Sequence, residues 1–386
     1  TIRICDPAVG SGAFPVGMMN EIIRTRNALT SYLKAKKGRT IYDFKRHAIQ
    51  NSLYGVDIDL GAVEIAKLRL WLSLIVDEED IKQIKPLPNL DYKIVQGNSL
   101  LSVEKNLFNQ QLFSKLEELK PLFFNETNAR QKQEYKKQID ELIRQITNNN
   151  QSFDFQIYFS EVFHDHGRGG FDVVIANPPY VNIFNIKNEG FRNYLMKNYS
   201  VAKNKTDLYA FFAERGVEIL KDKGKLAFIF SNSWLGTESF SKFREFLISK
   251  TKVEKLIKCP PGVFEEATVT VVIIILTKEI VTKNAIELLE FDGNKFQELG
   301  FKLSYDFIKG QVSYGFTFDK QLEIRIPYIK LGEVAKFSLG IKTADDERFI
   351  SDSKKDKDSY QLLRCKDISK YFKKFNCKWI WYKPDL

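Results

Sequence analysis

The sequence predicts an α/β fold with a mainly parallel sheet covered by helices on both faces, a helical insertion, and part of a second domain at the carboxyl end. Three observations lead to this prediction. Short apolar runs alternate with helical segments from residue 1 to about residue 278, as expected for repeated strand–helix–strand units. The third and fourth strands are separated by far more chain than a crossover needs. The pattern of elements changes after about residue 328.

The first strand runs directly into a glycine-rich loop with the sequence DPAVGSGAF, residues 6–14. Gly10 and Gly12 allow the backbone to approach a ligand closely and to turn tightly into a helix, predicted at about 15–28. The loop lacks the third glycine of the dinucleotide-binding pattern, and Asp6 would repel a pyrophosphate. The amide groups at the start of the helix suit a carboxylate. The loop therefore favours a ligand with both cationic and anionic groups, such as S-adenosylmethionine.

Two further strands end in polar residues that can hold a ligand. In the second strand, residues 53–59, Asp57 can accept hydrogen bonds from both hydroxyls of a ribose. Asp59 is better placed to cap the helix that follows. The third strand, residues 92–99, ends in Asn98, which can bond an adenine amino group or belong to a turn, where Asn–Ser pairs are common.

A clamp for a planar amino group is predicted directly after the fourth strand. The apolar run 171–176 ends in Asn177-Pro178-Pro179-Tyr180. The prolines fix φ and remove two backbone donors, so the carbonyl groups there point in set directions. The Asn177 side-chain oxygen and the Pro178 carbonyl can both accept from one amino group, and Tyr180 supplies a flat face for stacking. Adenine carries such a group; a plain Pro-Pro turn is the structural alternative.

Two segments leave both a structural and a functional interpretation open. Residues 103–152 are polar but carry apolar residues at helical spacing, which predicts an inserted helical hairpin. The hairpin either covers an edge of the sheet or contacts a DNA backbone. The segment 181–205 combines aromatic residues, among them Phe184 and Phe191, with several lysines. It either packs in the core or closes over a substrate. The apolar positions of the hairpin are Tyr135, Ile139, Leu142, Ile143 and Ile146.

Composition favours a polyanionic partner without demanding one. The 386 residues carry 59 Lys and Arg against 49 Asp and Glu, a net charge of +10.

The four cysteines form no CxxC pair, which predicts reduced thiols and a cytoplasmic location. No apolar stretch is long enough to span a bilayer, and no signal peptide is predicted. The closest pair of histidines, His164 and His166, lies in a glycine-rich loop, so no metal site is predicted.

Together these motifs resemble those of the amino-group DNA methyltransferases, specifically the gamma-class adenine-N6 enzymes found in type IIG restriction–modification enzymes. In that class the cofactor loop precedes the catalytic tetrapeptide, and the target-recognition region comes last. The resemblance covers residues 1–290 through several motifs and residues 330–386 more loosely. It implies a Rossmann-like S-adenosylmethionine-dependent methyltransferase fold, with S-adenosylmethionine as the methyl donor.

The resemblance also implies a role for individual residues. Phe264, in the sequence PGVF before the strand 268–276, would pack against a flipped-out base opposite Tyr180; core packing is the alternative. At Asn98 the family often has Asp. The implied cofactor-binding residues are Asp6, Pro7, Ala8, Gly10, Gly12, Phe14, Asp57, Ile58 and Asn98, and the implied catalytic residues are Asn177, Pro178, Pro179 and Tyr180.

The implied reaction is methyl transfer to the exocyclic N6 of adenine in a specific sequence of double-stranded DNA, within a restriction–modification or phage-defence system. Base flipping and direct in-line transfer are the implied steps. The same chemistry on a protein glutamine amide, an RNA base or cytosine N4 remains open, as does a DNA-recognition module without activity. The complete motifs argue against lost chemistry, and the recognition-like tail favours DNA.

This interpretation divides the chain into three consecutive regions, the first of which contains an insertion. We predict a catalytic domain at 1–290 with its insertion at about 103–152, a connecting segment at 291–328, and the start of a target-recognition domain at 329–386. A first strand at residue 1 and an incomplete second domain lead us to expect a fragment of a longer protein. Any nuclease domain would lie outside it, as would the family's cofactor-contacting segment that precedes the first strand, so an inactive fragment is a further alternative.

Overall fold

The chain folds into two units, Thr1–Lys320 and Gln321–Leu386. The computed structural model describes most of the first unit and parts of the second. The described ranges are 1–32, 40–76, 89–103, 107–126, 128–147, 153–163, 169–203, 205–262 and 270–320, followed by 329, 331–336, 346–364, 367–369, 372–373, 375 and 378–382.

A nine-stranded sheet in the order β3-β2-β1-β4-β5-β7-β6-β8-β9 forms the centre of the first unit. The five strands from β3 to β5 are parallel, β7 runs antiparallel to both of its neighbours, and β8 is parallel to β6 but antiparallel to β9. This arrangement confirms the predicted α/β class with a mainly parallel sheet. The strands are β1 (Ile4–Asp6), β2 (Leu53–Asp57), β3 (Ile94–Gln96), β4 (Phe171–Ala176), β5 (Leu220–Ser231), β6 (Lys252–Lys258), β7 (Val271–Thr277), β8 (Ala285–Phe291) and β9 (Phe296–Ser304).

Helices cover both faces of the sheet because alternate strand residues point to opposite sides. Ile4 and Leu53 pack with the first three helices on one face, whereas their neighbours Cys5 and Tyr54 belong to the core on the other face. The helices of this unit are α1 (Ala13–Tyr32), α2 (Ile41–Asn51), α3 (Leu60–Ile75), α4 (Leu107–Asn125), α5 (Ala129–Ile146), α6 (Phe155–Tyr158), α7 (Ser160–Phe163), α8 (Glu189–Asn198), α9 (Leu208–Ile219), α10 (Ser241–Lys250) and α11 (Tyr305–Gly310).

The predicted helical insertion is the hairpin α4–α5, which has its own apolar core with the segment before β3. Ile139, Leu142 and Ile143 are buried there against Tyr92. The hairpin packs on the segment directly before the edge strand β3, which is consistent with the interpretation that it covers that edge of the sheet. The other interpretation, contact with a DNA backbone, stays a prediction.

A buried network of charges ties the insertion to the sheet. The Lys93 ammonium, just before β3, donates to the Tyr54 hydroxyl at 2.8 Å and to Glu161 Oε1 at 2.9 Å. Lys120 of α4 donates to the Ile157 carbonyl at 2.8 Å and lies 3.8 Å from Glu161 Oε2. Burial lowers the pKa of Lys120 to about 8, partly offset by the charge of Glu161. The lysine and glutamate charges are thus paired where they leave water.

The sheet continues beyond the predicted end of the catalytic domain. Residues 291–328 are predicted as a connection, but β9 lies within them and pairs with β8 along Ala285–Phe291. α11 follows, and the first unit ends at Lys320. β9 is largely exposed, because an edge strand buries only part of its side chains, so it lacks the apolar signature of an inner strand.

The described part of the second unit consists of short elements. β10 (Ile350–Ser351), β14 (Trp379–Trp381) and β11 (Ser359–Gln361) form an antiparallel sheet in that order. The Trp381 indole donates to Asp356 Oδ2 at 3.0 Å. The remaining elements are α12 (Leu331–Val334), α13 (Asp346–Phe349) and the paired strands β12 (Ile368–Ser369) and β13 (Phe372–Lys373).

Among the described helices, none combines the length and the apolar composition that crossing a membrane requires.

Candidate functional site

A cavity of about 390 Å³ opens at the carboxyl ends of β1, β2, β3 and β4. Strand order reverses between β1 and β4, and ligands of open α/β sheets bind at such a switch point. The cavity brings together residues from four separate motifs of the sequence. Its lining residues are Pro7, Ala8, Gly10, Asp57, Ile58, Gly97, Asn98, Ser99, Leu100, Asn177, Pro179, Phe191, Leu208 and Phe212.

The glycine loop between β1 and α1 depends on two left-handed residues. Gly10 has a φ of +50° and Gly12 a φ of +84°, a region that residues with a Cβ enter at a cost. A Cβ on Gly12 would also lie 3.0 Å from Cα of Ala66 in α3. Val9 ties the loop to β2 through a bond from its amide to the Val56 carbonyl at 2.9 Å. The loop is therefore a rigid, backbone-lined wall of the cavity.

Asp57 holds the same loop from the end of β2. Its Oδ2 accepts from the Gly10 amide at 2.8 Å, and its Oδ1 accepts from the Asp59 amide at 3.0 Å. Each carboxylate oxygen keeps a further lone pair for a ligand. Asp59 caps α3 by accepting from the Gly61 amide at 2.7 Å, which confirms the cap predicted for it.

Asp6 does not line the cavity and is 2 % exposed. Its Oδ1 accepts from the Ala8 amide at 3.0 Å. Burial, with a smaller contribution from the negative charge of Asp57, raises the pKa of Asp6 to about 8. The carboxyl is therefore mostly protonated at neutral pH. It contacts the loop through its hydrogen bond with the Ala8 amide.

Asn98 and Ser99 connect the end of β3 to the glycine loop. Asn98 Oδ1 accepts from the Leu100 amide at 3.1 Å, the turn geometry that was the alternative interpretation. The same residue lines the cavity. Ser99 donates from its hydroxyl to the Pro7 carbonyl at 2.6 Å and so fixes the first turn of the loop.

The tetrapeptide after β4 presents its residues alternately to solvent and to the core. Asn177 and Pro179 are exposed and line the cavity, whereas Pro178 is buried. The Tyr180 hydroxyl lies 3.0 Å from Asn177 Oδ1 and 3.2 Å from the Ile229 carbonyl. The hydroxyl has one proton and can donate it to either acceptor. If another donor binds Asn177 Oδ1, the Tyr180 hydroxyl can donate to the Ile229 carbonyl instead.

An aromatic cluster supports Tyr180 from behind. Its ring meets Tyr209 edge to face at 6.0 Å, and Tyr209 is itself stacked between Phe230 at 4.9 Å and Phe240 at 5.4 Å. Such contacts restrict the orientation of the Tyr180 ring. Burial raises the pKa of Tyr180 to about 12, so its hydroxyl keeps its proton at physiological pH.

Sequence reasoning missed part of the cavity wall. Leu208 and Phe212 of α9 line the cavity, as do Gly97, Ser99 and Leu100 after β3. Phe191 of α8 also lines it; the segment 181–205 that contains Phe191 was predicted either to pack in the core or to close over a substrate. Leu208 and Phe212 are four positions apart and share one face of a helix. The sequence TDLYAFF, residues 206–212, shows this spacing and predicts a helix with an apolar face, but it does not indicate that this face lies beside the tetrapeptide.

Five of the predicted site residues do not line the cavity. Gly12 and Asp6 belong to the glycine loop without lining the cavity, Phe14 is half-buried in the first turn of α1, Pro178 is buried, and Tyr180 is half-buried. Phe264 lies in 263–269, outside the described residues. Within the described ranges, His, Cys, Asp and Glu side chains form no group of three or more that would hold a metal ion.

The chain matches a family model and several curated proteins. The model, described as Eco57I restriction-modification methylase, matches residues 51–264, more than half of the chain. A putative type II restriction enzyme and methyltransferase, RM.MjaORFECS2P of Methanocaldococcus jannaschii, is 28% identical over 79% of this chain and 32% of the relative. The type II restriction enzyme and methyltransferase RM.Eco57I of Escherichia coli is 24% identical over 72% of this chain and 24% of the relative.

The chain thus spans about a third of the first relative's length and about a quarter of the second's. Among solved structures, it is similar to the ATP-dependent type ISP restriction-modification enzyme LlaBIII bound to DNA, with a TM-score of 0.47, 17% identity and coverage of 75% of this chain and 18% of that one. It is also similar to the type I restriction enzyme EcoKI M protein, with a TM-score of 0.39, 15% identity and coverage of 77% and 46%.

Proposed function

The chain belongs to the Eco57I restriction-modification methylase family, and from this premise we propose that it transfers a methyl group from S-adenosylmethionine to the exocyclic N6 of adenine in DNA. One observation carries the proposal. A single cavity is lined by the glycine loop, Asp57, Asn98 and the tetrapeptide residues Asn177 and Pro179. The residues proposed to hold a nucleoside-bearing donor and those proposed to clamp an amino group therefore line the same space.

The cavity suits S-adenosylmethionine in size and in its donors and acceptors. Its volume of about 390 Å³ falls in the range of about 300–1,000 Å³ typical of small-molecule sites. Asp57 would hold the ribose hydroxyls, and Asn98 the adenine amino group. Ile58, Leu208 and Phe212 offer apolar surface for a planar base, and the amide groups at the start of α1 would face the carboxylate.

The tetrapeptide would make the target amino group reactive. Asn177 Oδ1 and the Pro178 carbonyl would accept from N6–H, which draws the nitrogen lone pair out of conjugation with the ring. When bound, S-adenosylmethionine supplies an electrophilic methyl group whose bond to sulfur breaks as the bond to N6 forms, with the N6 proton leaving to solvent. Positioning and electrostatic stabilisation by the chain would then suffice, without a covalent enzyme intermediate.

The existing bond from Tyr180 to Asn177 supports this assignment. A hydroxyl 3.0 Å from Asn177 Oδ1 occupies the place of an incoming N–H donor, and the Ile229 carbonyl at 3.2 Å offers the hydroxyl an alternative acceptor. Exchange of one donor for the other leaves no buried polar group unsatisfied. The ring of Tyr180, held by its aromatic support, would then stack on the target base.

The target adenine must leave the double helix to reach the tetrapeptide, because its amino group is paired and stacked there. We propose double-stranded DNA as the substrate, in keeping with the net charge of +10. We further propose that the second unit is the start of the region that recognises the DNA sequence, and that the whole protein acts in a restriction–modification system.

The test is labelled methyl transfer followed by analysis of the modified nucleosides. Purified chain is incubated with labelled S-adenosylmethionine and unmethylated genomic DNA, and the DNA is digested to nucleosides. We expect the label in N6-methyladenine. Label confined to N4-methylcytosine, to RNA or to protein contradicts the proposal.

The variant Asn177→Ala tests the amino-group clamp separately from the site of the methyl donor. The variant should lose methyl transfer by at least about 100-fold, because the amino group loses its acceptor, the order of magnitude found when one transition-state hydrogen bond is removed. Binding of S-adenosylmethionine, measured by calorimetry, should stay within about threefold, since one of many cavity contacts is lost. Equal loss of both activities would contradict the catalytic assignment of Asn177.

A further inference from the structure

The turn that follows the tetrapeptide exposes an aromatic side chain. Residues Ile183–Asn185 form a single 3-10 turn. Ile183 is 1 % exposed and anchors the turn in the core, whereas the next side chain, Phe184, is 54% exposed. More than half of this aromatic side chain therefore stays in contact with water and is accessible to a partner.

The turn is firmly held in place. Asn182 caps it by accepting from the Phe184 amide at 3.1 Å, and its amide nitrogen donates to the Lys205 carbonyl and to Asp207 Oδ1, both at 2.8 Å. Ile183 donates from its backbone to the Thr206 carbonyl at 3.0 Å. These bonds, together with the antiparallel bridge between Asn182 and Asp207, join the turn to the start of α9. Phe184 is therefore exposed on a rigid support.

The same bonds attach the turn to the wall of the site. The Leu208 amide donates to the Val181 carbonyl at 2.8 Å, and Leu208 lines the cavity together with Asn177 and Pro179. Phe184 thus lies on a braced segment between two parts of the cavity wall.

The surroundings of Phe184 suit a polyanion that carries aromatic groups. Lys187 and Lys205 are exposed on either side of the turn, and Val181 adds exposed apolar surface. The nearest acid along the chain, Glu189, is paired with Arg192 at 3.5 Å. Basic residues beside an exposed ring are typical of surfaces on which nucleic-acid bases stack.

We propose that Phe184 stacks on a DNA base next to the target adenine and replaces part of the stacking that is lost when the adenine leaves the helix. The proposal rests on the proposed function and adds the residue that stabilises the flipped state. Extrusion of a base removes its contacts with both neighbours, and an aromatic side chain that stacks on a base restores part of such contact. Lys187 and Lys205 would bind the adjoining phosphates.

The test compares two duplexes that differ only opposite the target adenine. The target sequence is first read from the positions at which the wild-type chain introduces N6-methyladenine into unmethylated genomic DNA. One duplex is then fully paired, and the other has an abasic site opposite the target, which makes extrusion easier. Phe184→Ala should methylate the paired duplex about tenfold more slowly than the wild type, in line with the loss of one base–aromatic stack. On the abasic duplex the two proteins should differ by less than about threefold.

Two variants control for unrelated losses. Phe296→Ala removes an equally exposed ring, 59% exposed, from edge strand β9 and should methylate both duplexes like the wild type. Phe184→Trp keeps a flat ring and should retain activity on the paired duplex. Binding of S-adenosylmethionine by Phe184→Ala should equal that of the wild type, which excludes a folding defect.

Two results would overturn the inference while leaving the proposed function intact: wild-type activity of Phe184→Ala on the paired duplex, or an equal loss on both duplexes. The absence of N6-methyladenine after reaction of the wild type with DNA would instead remove the proposed function, and the inference with it.

Discussion

At the scale of single residues, the burial of Asp6 has consequences for the ligand-free chain. Its carboxyl lies beneath the glycine loop, near Asp57, and burial raises its pKa to about 8 from the usual 3.8. The folded chain therefore keeps a proton that the unfolded chain releases. Between about pH 4 and about pH 8, the contribution of Asp6 to the free energy of unfolding should fall as the pH rises, because at this group the folded state binds more protons than the unfolded state.

We expect Asp6→Asn to stabilise the ligand-free chain increasingly as the pH rises. The amide is neutral at every pH and can still accept from the Ala8 amide. Relative to the wild type, the gain in the free energy of unfolding should grow between pH 5 and pH 8 to on the order of a few kcal/mol. Chemical unfolding at several pH values measures it.

The matched control is Asp59→Asn, which changes an exposed helix cap at which Asn and Asp serve equally well. Its stability should follow the wild type at each pH. A constant difference between Asp6→Asn and the wild type across this range would show that Asp6 keeps its charge in the folded chain.

At the scale of elements, the turn from β1 into α1 can be compared with the interior of α1. Gly12 has a positive φ and packs against Ala66 of α3, so a methyl group there meets both backbone strain and a steric contact. Gly17 lies within α1, where a Cβ would meet nothing within 4 Å. We therefore expect substitution by alanine to have opposite effects on stability at Gly12, just before α1, and at Gly17, within it.

Gly12→Ala should destabilise the chain by about 2 kcal/mol or more, and Gly17→Ala should stabilise it by about 0.5–1 kcal/mol, since alanine favours the helix. Denaturant unfolding gives both values. Calorimetry should also show weaker binding of S-adenosylmethionine by Gly12→Ala and unchanged binding by Gly17→Ala. A neutral Gly12→Ala would mean that the loop relaxes without loss of its shape.

The elements that sequence reasoning recovered are those whose pattern is local. The apolar runs of β4 and β7 contain no exposed residue, and the α5 residues Ile139, Leu142 and Ile143, which repeat at helical spacing, are buried. The exposure of individual side chains on the outer elements was harder to predict, because it depends on neighbours that are distant in sequence; α3, the helix predicted after Asp59, is an example. α3 carries apolar residues nearly all round, yet Ile65, Leu68 and Leu72 are about half exposed.

At the scale of the whole molecule, the candidate site was predictable where one motif supplied both an unusual backbone and a polar side chain. Gly10, Asp57 and Asn177 follow strands of a parallel sheet, so their convergence at one edge follows from the fold class. Leu208 and Tyr209 were not predictable as site residues. Their sequence reads as an ordinary apolar helix, and only the path of the chain brings α9 back beside the tetrapeptide.

The division into two units gives a prediction for the whole chain. Every residue that lines the cavity lies within Thr1–Lys320, and the sheet that supports it is complete by Ser304. A protein that ends at Lys320 should therefore unfold cooperatively and bind S-adenosylmethionine with an affinity within about threefold of that of the 386-residue chain. Calorimetry on both proteins measures this. If the second unit begins the DNA-recognition region, the shortened protein should at the same time lose sequence-specific methylation of duplex DNA. Loss of S-adenosylmethionine binding on truncation would show instead that the second unit supports the cavity.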